Sequence, residues 1–130
     1  MFNTASCCCG ECTIILYGEP KSHGICHCDN CKKRTGSAFG VLVYFTYDQV
    51  IRQVGSMGIY NQISEVLENN QSRFFCQTCG TTLYWVLSNQ PEIIGVAGGC
   101  FVNSLLPEPS FSRVNQNQCL WLTLPDQWSL

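Results

Sequence analysis

Residues 26–34 read "CHCDNCKKR" and place three cysteines, Cys26, Cys28 and Cys31, within six positions. A zinc ion that only holds a fold together is usually closed by four protein ligands, whereas a catalytic zinc keeps one position open. Three thiolates in one tight segment therefore point to a site whose fourth position is left for water or substrate. Alternation along a strand would put Cys26 and Cys28 on one face, and a turn at Asp29-Asn30 would bring Cys31 round to them. Zinc held by three thiolates carries net negative charge. It is then a weak Lewis acid for a carbonyl but a good partner for a soft sulfur ligand, and an incoming thiol would be delivered as thiolate near neutral pH. Lys32, Lys33 and Arg34 follow directly and would either offset that charge or hold the carboxylates of a thiol-bearing substrate. A fourth ligand from elsewhere would make the site structural instead, with His27 and Cys12 as candidates. A strand through 26–28 would point His27 the opposite way from its neighbours.

Two further cysteine groups flank this one. "CCCGEC" offers Cys7, Cys8, Cys9 and Cys12, and "FFCQTCGTTLYW" offers Cys76 and Cys79 followed by Gly80. Cys-x-x-Cys-Gly is a zinc knuckle, because the chain turns back so that both sulfurs face one metal while glycine relieves the tight backbone. If residues 7–9 are extended, Cys7 and Cys9 share a face and form the partner pair. Cys7, Cys9, Cys76 and Cys79 would then close a tetrahedral structural site that staples the N-terminus to the second half of the chain. Cys8, Cys12 and Cys119 read as small core residues, and His23 as a surface or turn residue. Cys100 lies in "GGCFVNS", a segment similar to the catalytic cysteine stretch of type-B methionine sulfoxide reductases. That alternative requires an exposed thiol of low pKa and leaves Cys26, Cys28 and Cys31 without a role.

The rest of the chain must position these groups. Its 130 residues match one domain, residues 1–130, and 45% hydrophobic against 12% charged residues argues for a folded core. A net charge of -2 and a pI near 5.5 give no general basis for binding nucleic acid or an anionic membrane. Trp85, Trp121 and Trp128 read as core or rim aromatics rather than a base-stacking platform. The N-terminal stretch "MFNTASCCCGEC" does not read as a secretory signal, and no apolar run is long enough to span a bilayer. An odd count of eleven cysteines without such a signal favours a reducing, cytoplasmic setting and metal ligation over disulfides.

Strands are expected at 12–17, 21–28, 38–47, 57–63, 72–75, 81–87, 92–97 and 118–123, where β-branched and aromatic residues cluster between turn signals. The second of these would deliver Cys26 and Cys28. Asp29 is expected to cap a helix of about two turns ended by Gly36, and 102–118, with two prolines, a surface loop. Short strands dominate, which predicts a mainly β sandwich or barrel with little helix.

The ordered segments "CCCG" (7–10), "CHCDNCKKRTGSAFG" (26–40) and "RFFCQTCGTTLYW" (73–85) resemble the glutathione-dependent formaldehyde-activating family, also called the Gfa or centromere-protein-V-type domain. The stretch "PSFSRVNQNQCLWLTLPD" (109–126) is similar to that family's C-terminal part, so the likeness covers nearly the whole chain. It implies an Mss4-like (β-tent) fold of short antiparallel strands with two zinc ions per chain. Of these, Cys7, Cys9, Cys76 and Cys79 would hold a structural zinc and Cys26, Cys28 and Cys31 a catalytic one. It further implies a carbon–sulfur lyase that joins glutathione to formaldehyde or reverses that addition, with a small-molecule thiol and an aldehyde as partners. The chain departs from the family pattern in carrying lysines first after Cys31, where arginine is usual, and in the uncharged run Val114–Gln118. A non-enzymatic zinc module that binds a protein partner is the alternative of a different class.

Overall fold

The computed structural model describes residues 1–63, 70–102 and 108–128. Among them are ten strands: β1 (Phe2–Ser6), β2 (Thr13–Tyr17), β3 (Ser22–Cys26), β4 (Gly40–Thr46), β5 (Val50–Val54), β6 (Met57–Gln62), β7 (Gln71–Cys76), β8 (Thr82–Leu87), β9 (Gln90–Ala97) and β10 (Phe111–Arg113). One α-helix, α1 (Asp29–Thr35), interrupts them, so the fold is mainly β as its composition predicts. No helix among the described residues is long and apolar enough to cross a membrane.

The strands form two sheets, one of three strands in the order β1-β2-β5 and one of seven in the order β10-β3-β4-β9-β8-β7-β6. Period-two alternation on β4 divides the large sheet into two faces. Val43 and Phe45 point with Ile94 and Val96 toward Ala5, Ile14 and Leu16 of the small sheet, and this is the main core. Leu42 and Tyr44 point the other way and pack with Trp85, Ala97 and Cys26, with Cys28 and Cys31 against them. The three-cysteine segment thus lies on the face of the large sheet turned away from the small one.

Several expectations are corrected. β1 and β5 were not expected, and β3 ends at Cys26, so Cys28 is not on a strand. The cap of α1 is Cys28, whose sulfur accepts from the Cys31 N–H, rather than Asp29; Gly36 ends the helix in the left-handed conformation at φ 63° as expected. The 102–118 loop contains β10, which runs parallel to β3 and pairs Arg113 with Cys26, an exception to the antiparallel pattern. Residues 103–107 of that loop lie outside the described residues. No strand forms at 118–123, where Leu120 and Trp121 are exposed. A strand gains from apolar side chains only when a sheet face receives them.

Candidate metal centres

Cys7, Cys9, Cys76 and Cys79 bring their sulfurs within 4.8 Å of one another, as do Cys26, Cys28 and Cys31. In the first group the Cys7–Cys9 and Cys9–Cys76 sulfurs are 3.6 Å apart. A tetrahedron with zinc–sulfur bonds of about 2.3 Å has edges of about 3.8 Å, so the four-thiol cage fits zinc in donor type and in size.

The cage is assembled from two turns of similar build. Gly10 N–H donates to the Cys7 carbonyl and Gly80 N–H to the Cys76 carbonyl, and both glycines sit at φ 82°, where a side chain would be strained. Residues 7–9 therefore form a turn and not a strand, and the turn, rather than alternation, aims Cys7 and Cys9 at one point. Backbone N–H groups of Cys12 and Thr78 donate to the sulfurs of Cys7 and Cys76. Thr81 Oγ1 accepts from the Cys8 N–H, and Thr78 Oγ1 donates to Glu11, tying the two turns together across the chain. Thr81, bonded to Cys79 through side chain and backbone, holds the Cys79 thiol down at about 5, which suits a ligand that must bind as thiolate.

The second group is placed by the end of β3 and the first turn of α1. Cys26 is buried, and Cys28 and Cys31 are half-buried. The hydrogen bond from Cys31 is the main cause holding the Cys26 thiol down at about 6, and the same bond, with burial, pushes Cys31 up. Among the described residues no fourth His, Cys, Asp or Glu joins this group. His27 lies just beyond the end of β3, so strand alternation does not place it; it is fully buried, and its Nε2 is 2.9 Å from Ser112 Oγ on β10. Burial, then the charge of Lys32, lowers its pKa, so the imidazole is neutral near pH 7. Cys12 belongs to the main core.

The three basic residues after Cys31 separate. Lys33 is exposed, and Lys32 Nζ donates to the Asn117 carbonyl. Arg34 alone reaches the site: its Cζ lies 4.6 Å from the Trp85 ring centre. Gly40 makes room for it, since a β-carbon there would sit 2.8 Å from Arg34 Nη2 and 3.5 Å from Cys31 Sγ. Beside the helix a cleft of about 380 Å³ runs from Arg34 and Thr35 to Gly80 and Thr81, between the two cysteine groups.

Cys100 lines that cleft, yet it is half-buried and burial pushes its thiol up to about 11. An exposed thiol of low pKa is therefore not what the fold provides, and the sulfoxide-reductase reading loses its basis. Cys8 is exposed and Cys119 half-buried, so of the three expected core cysteines only Cys12 is one. Trp85 is core, whereas Trp121 is 74% exposed. Sequence reasoning missed Arg73 on β7, a buried cation paired across the sheet with Trp85. Its one sequence signal is a charged residue inside an otherwise strand-like run.

A family described as "Glutathione-dependent formaldehyde-activating enzyme" matches residues 2–116. A crystal structure of a Rhodobacter sphaeroides protein is similar in fold, with a TM-score of 0.60 at 20% identity over 85% of this chain and 99% of the other. No curated protein sequence matches.

Proposed function

The chain belongs to the glutathione-dependent formaldehyde-activating enzyme family, and from that premise we propose that it is a zinc-dependent carbon–sulfur lyase. It adds a thiol, glutathione foremost, to a small aldehyde such as formaldehyde, or reverses the addition. The observation that carries this reading is the three-thiol group itself: Cys26, Cys28 and Cys31 converge, and among the described residues nothing of metal-ligating type completes them. Zinc bound there would acidify a thiol at its open position. The chain's part is to hold that position open and to balance its charge. Cys28 caps α1, its sulfur held by the Cys31 N–H, and Cys26 ends β3 where that strand pairs with β10, so the backbone that carries both residues is fixed. His27, held by Ser112, is kept from becoming a fourth ligand. The Arg34 guanidinium stands beside Cys31, where positive charge favours thiolate over thiol. In the addition the S–H bond breaks, sulfur bonds to the carbonyl carbon, and the carbonyl oxygen takes up a proton to become a hydroxyl. Cys7, Cys9, Cys76 and Cys79 serve as the structural centre. All eleven cysteines are free, which supports a reducing location such as the cytoplasm.

Cys28→Ser tests the reading. Turnover of a thiol and formaldehyde should be lost, zinc should fall from about two to about one per chain, and the circular dichroism spectrum should be kept. Unchanged turnover overturns the proposal, and no turnover in the wild type with either thiol or aldehyde varied moves the chain to a non-enzymatic zinc module.

A further inference from the structure

We propose that Arg73, acting with Arg34 on one side of Trp85, recognises a carboxylate and makes the three-cysteine site prefer thiols that carry one. This rests on the thiol-binding reading above. Arg73 and Trp85 are directly opposed on β7 and β8, so their side chains rise from the same face of the sheet as neighbours. Trp85 also carries the Arg34 guanidinium on its ring. Two cations from elements far apart in sequence thus converge on one indole at the edge of the cysteine group.

Among the described residues neither is paired with a carboxylate. Arg73 is 8% exposed, and among the described residues its one hydrogen bond runs from Nε to Gln71 Oε1. Arg34 Nη2 is buried and makes none. Burial first, then the charge of Arg34, works against protonated Arg73, while Cys31 and Cys28 work for it. Buried guanidinium groups are costly without a countercharge. Arg34, flanking Gly40 with Cys31, is placed to balance the three thiolates. Arg73 stands one strand further out, about 4.8 Å beyond β8, and is not needed for that balance before a substrate binds. A substrate with sulfur at the open position and a carboxylate laid past Trp85 would supply the missing charge, and guanidinium meets carboxylate through two parallel hydrogen bonds. Lys32, tied to Asn117, and Lys33, exposed, are not placed to do so.

The test uses full-length protein with cobalt in place of zinc, so that thiol coordination is read from the absorption spectrum without turnover. Glutathione should bind more tightly than 2-mercaptoethanol. Arg73→Gln should weaken glutathione roughly tenfold to a hundredfold while leaving 2-mercaptoethanol within about twofold, which also shows that the variant is folded. Arg73→Lys should fall between. Equal weakening of both thiols would make Arg73 a counter-ion of the thiolate and overturn the proposal, as would no change in either. S-Methylglutathione, which keeps both carboxylates but has no thiol, should raise the melting temperature of the wild-type zinc protein and not of Arg73→Gln. If thiols leave the cobalt spectrum unchanged but S-methylglutathione still acts through Arg73, thiol activation fails and carboxylate recognition stands. If thiols coordinate without any dependence on Arg73, the converse holds.

Discussion

Gly40→Ala would perturb the charge beside the three-cysteine site while leaving the sheet intact. Gly40 begins β4 and does not have a positive φ, so alanine suits its backbone. Loss of glycine's freedom in the unfolded chain should stabilise by roughly 0.4–1 kcal/mol. Against this, the added methyl would lie 2.8 Å from Arg34 Nη2 and 3.1 Å from Cys31 Cβ. The guanidinium is the mobile end of a long side chain and gives way, losing a cation–π contact with Trp85 of about 0.5–2 kcal/mol. Cys31 has only to move by a few tenths of an ångström. The opposing effects nearly cancel, and the melting temperature should move by no more than about 5 °C. Thiol binding should respond far more, because the positive charge that favours thiolate over thiol beside Cys31 is moved away; a neighbouring opposite charge is worth about 1–3 pKa units, equivalent to roughly tenfold or more in affinity. Thermal melts of the zinc protein and thiol titrations of the cobalt form measure the two separately. Unchanged thiol affinity in a variant that melts normally would refute the role given to Arg34, and a collapse of stability would show that Gly40 serves packing instead.

Cys76→Ser removes a fully buried ligand of the four-thiol cage. It should abolish cooperative thermal unfolding rather than activity alone, since metal binding there is part of folding; circular dichroism with zinc analysis decides, and a normally melting variant would contradict it. Ser112→Ala leaves the buried His27 Nε2 without its partner and should cost about 1–3 kcal/mol by urea unfolding; a loss well under 1 kcal/mol would show that the bond contributes little. Cys100→Ala should retain thiol–aldehyde turnover, because burial pushes that thiol up to about 11; loss of turnover with both metals bound would reinstate it as a reacting group.

The donor pairs and the three-cysteine run were legible because ligands two or three residues apart are joined by local geometry, and a turn can aim them whatever the remaining fold does. Even so, one local detail read wrongly. Cys7 and Cys9 converge through a turn closed by Gly10, an outcome that alternation along a strand happens to mimic. The strong strands β2, β4, β6, β8 and β9 announced themselves through apolar and β-branched residues. The weak ones, β5 with its exposed Ile51 to Val54 and the three-residue β10, carry little pattern and exist because a neighbour's edge receives them. The 118–123 run shows the reverse, a suitable composition with no sheet to join.

By itself the amino-acid sequence determined the donor sets: the pairs Cys7 with Cys9 and Cys76 with Cys79, and the run Cys26, Cys28 and Cys31. The fold joined the two pairs across 67 residues and, among the described residues, brought no fourth ligand to the run. Tertiary structure alone decided what surrounds that run. It turned His27 to Ser112, drew Lys32 away to Asn117, and laid Arg73 of β7 beside Trp85 of β8 on the face that carries Cys26, Cys28 and Cys31. Those neighbours depend on strand order and register, which are set by hydrogen bonding and burial between segments distant in the chain, so no local spacing encodes them.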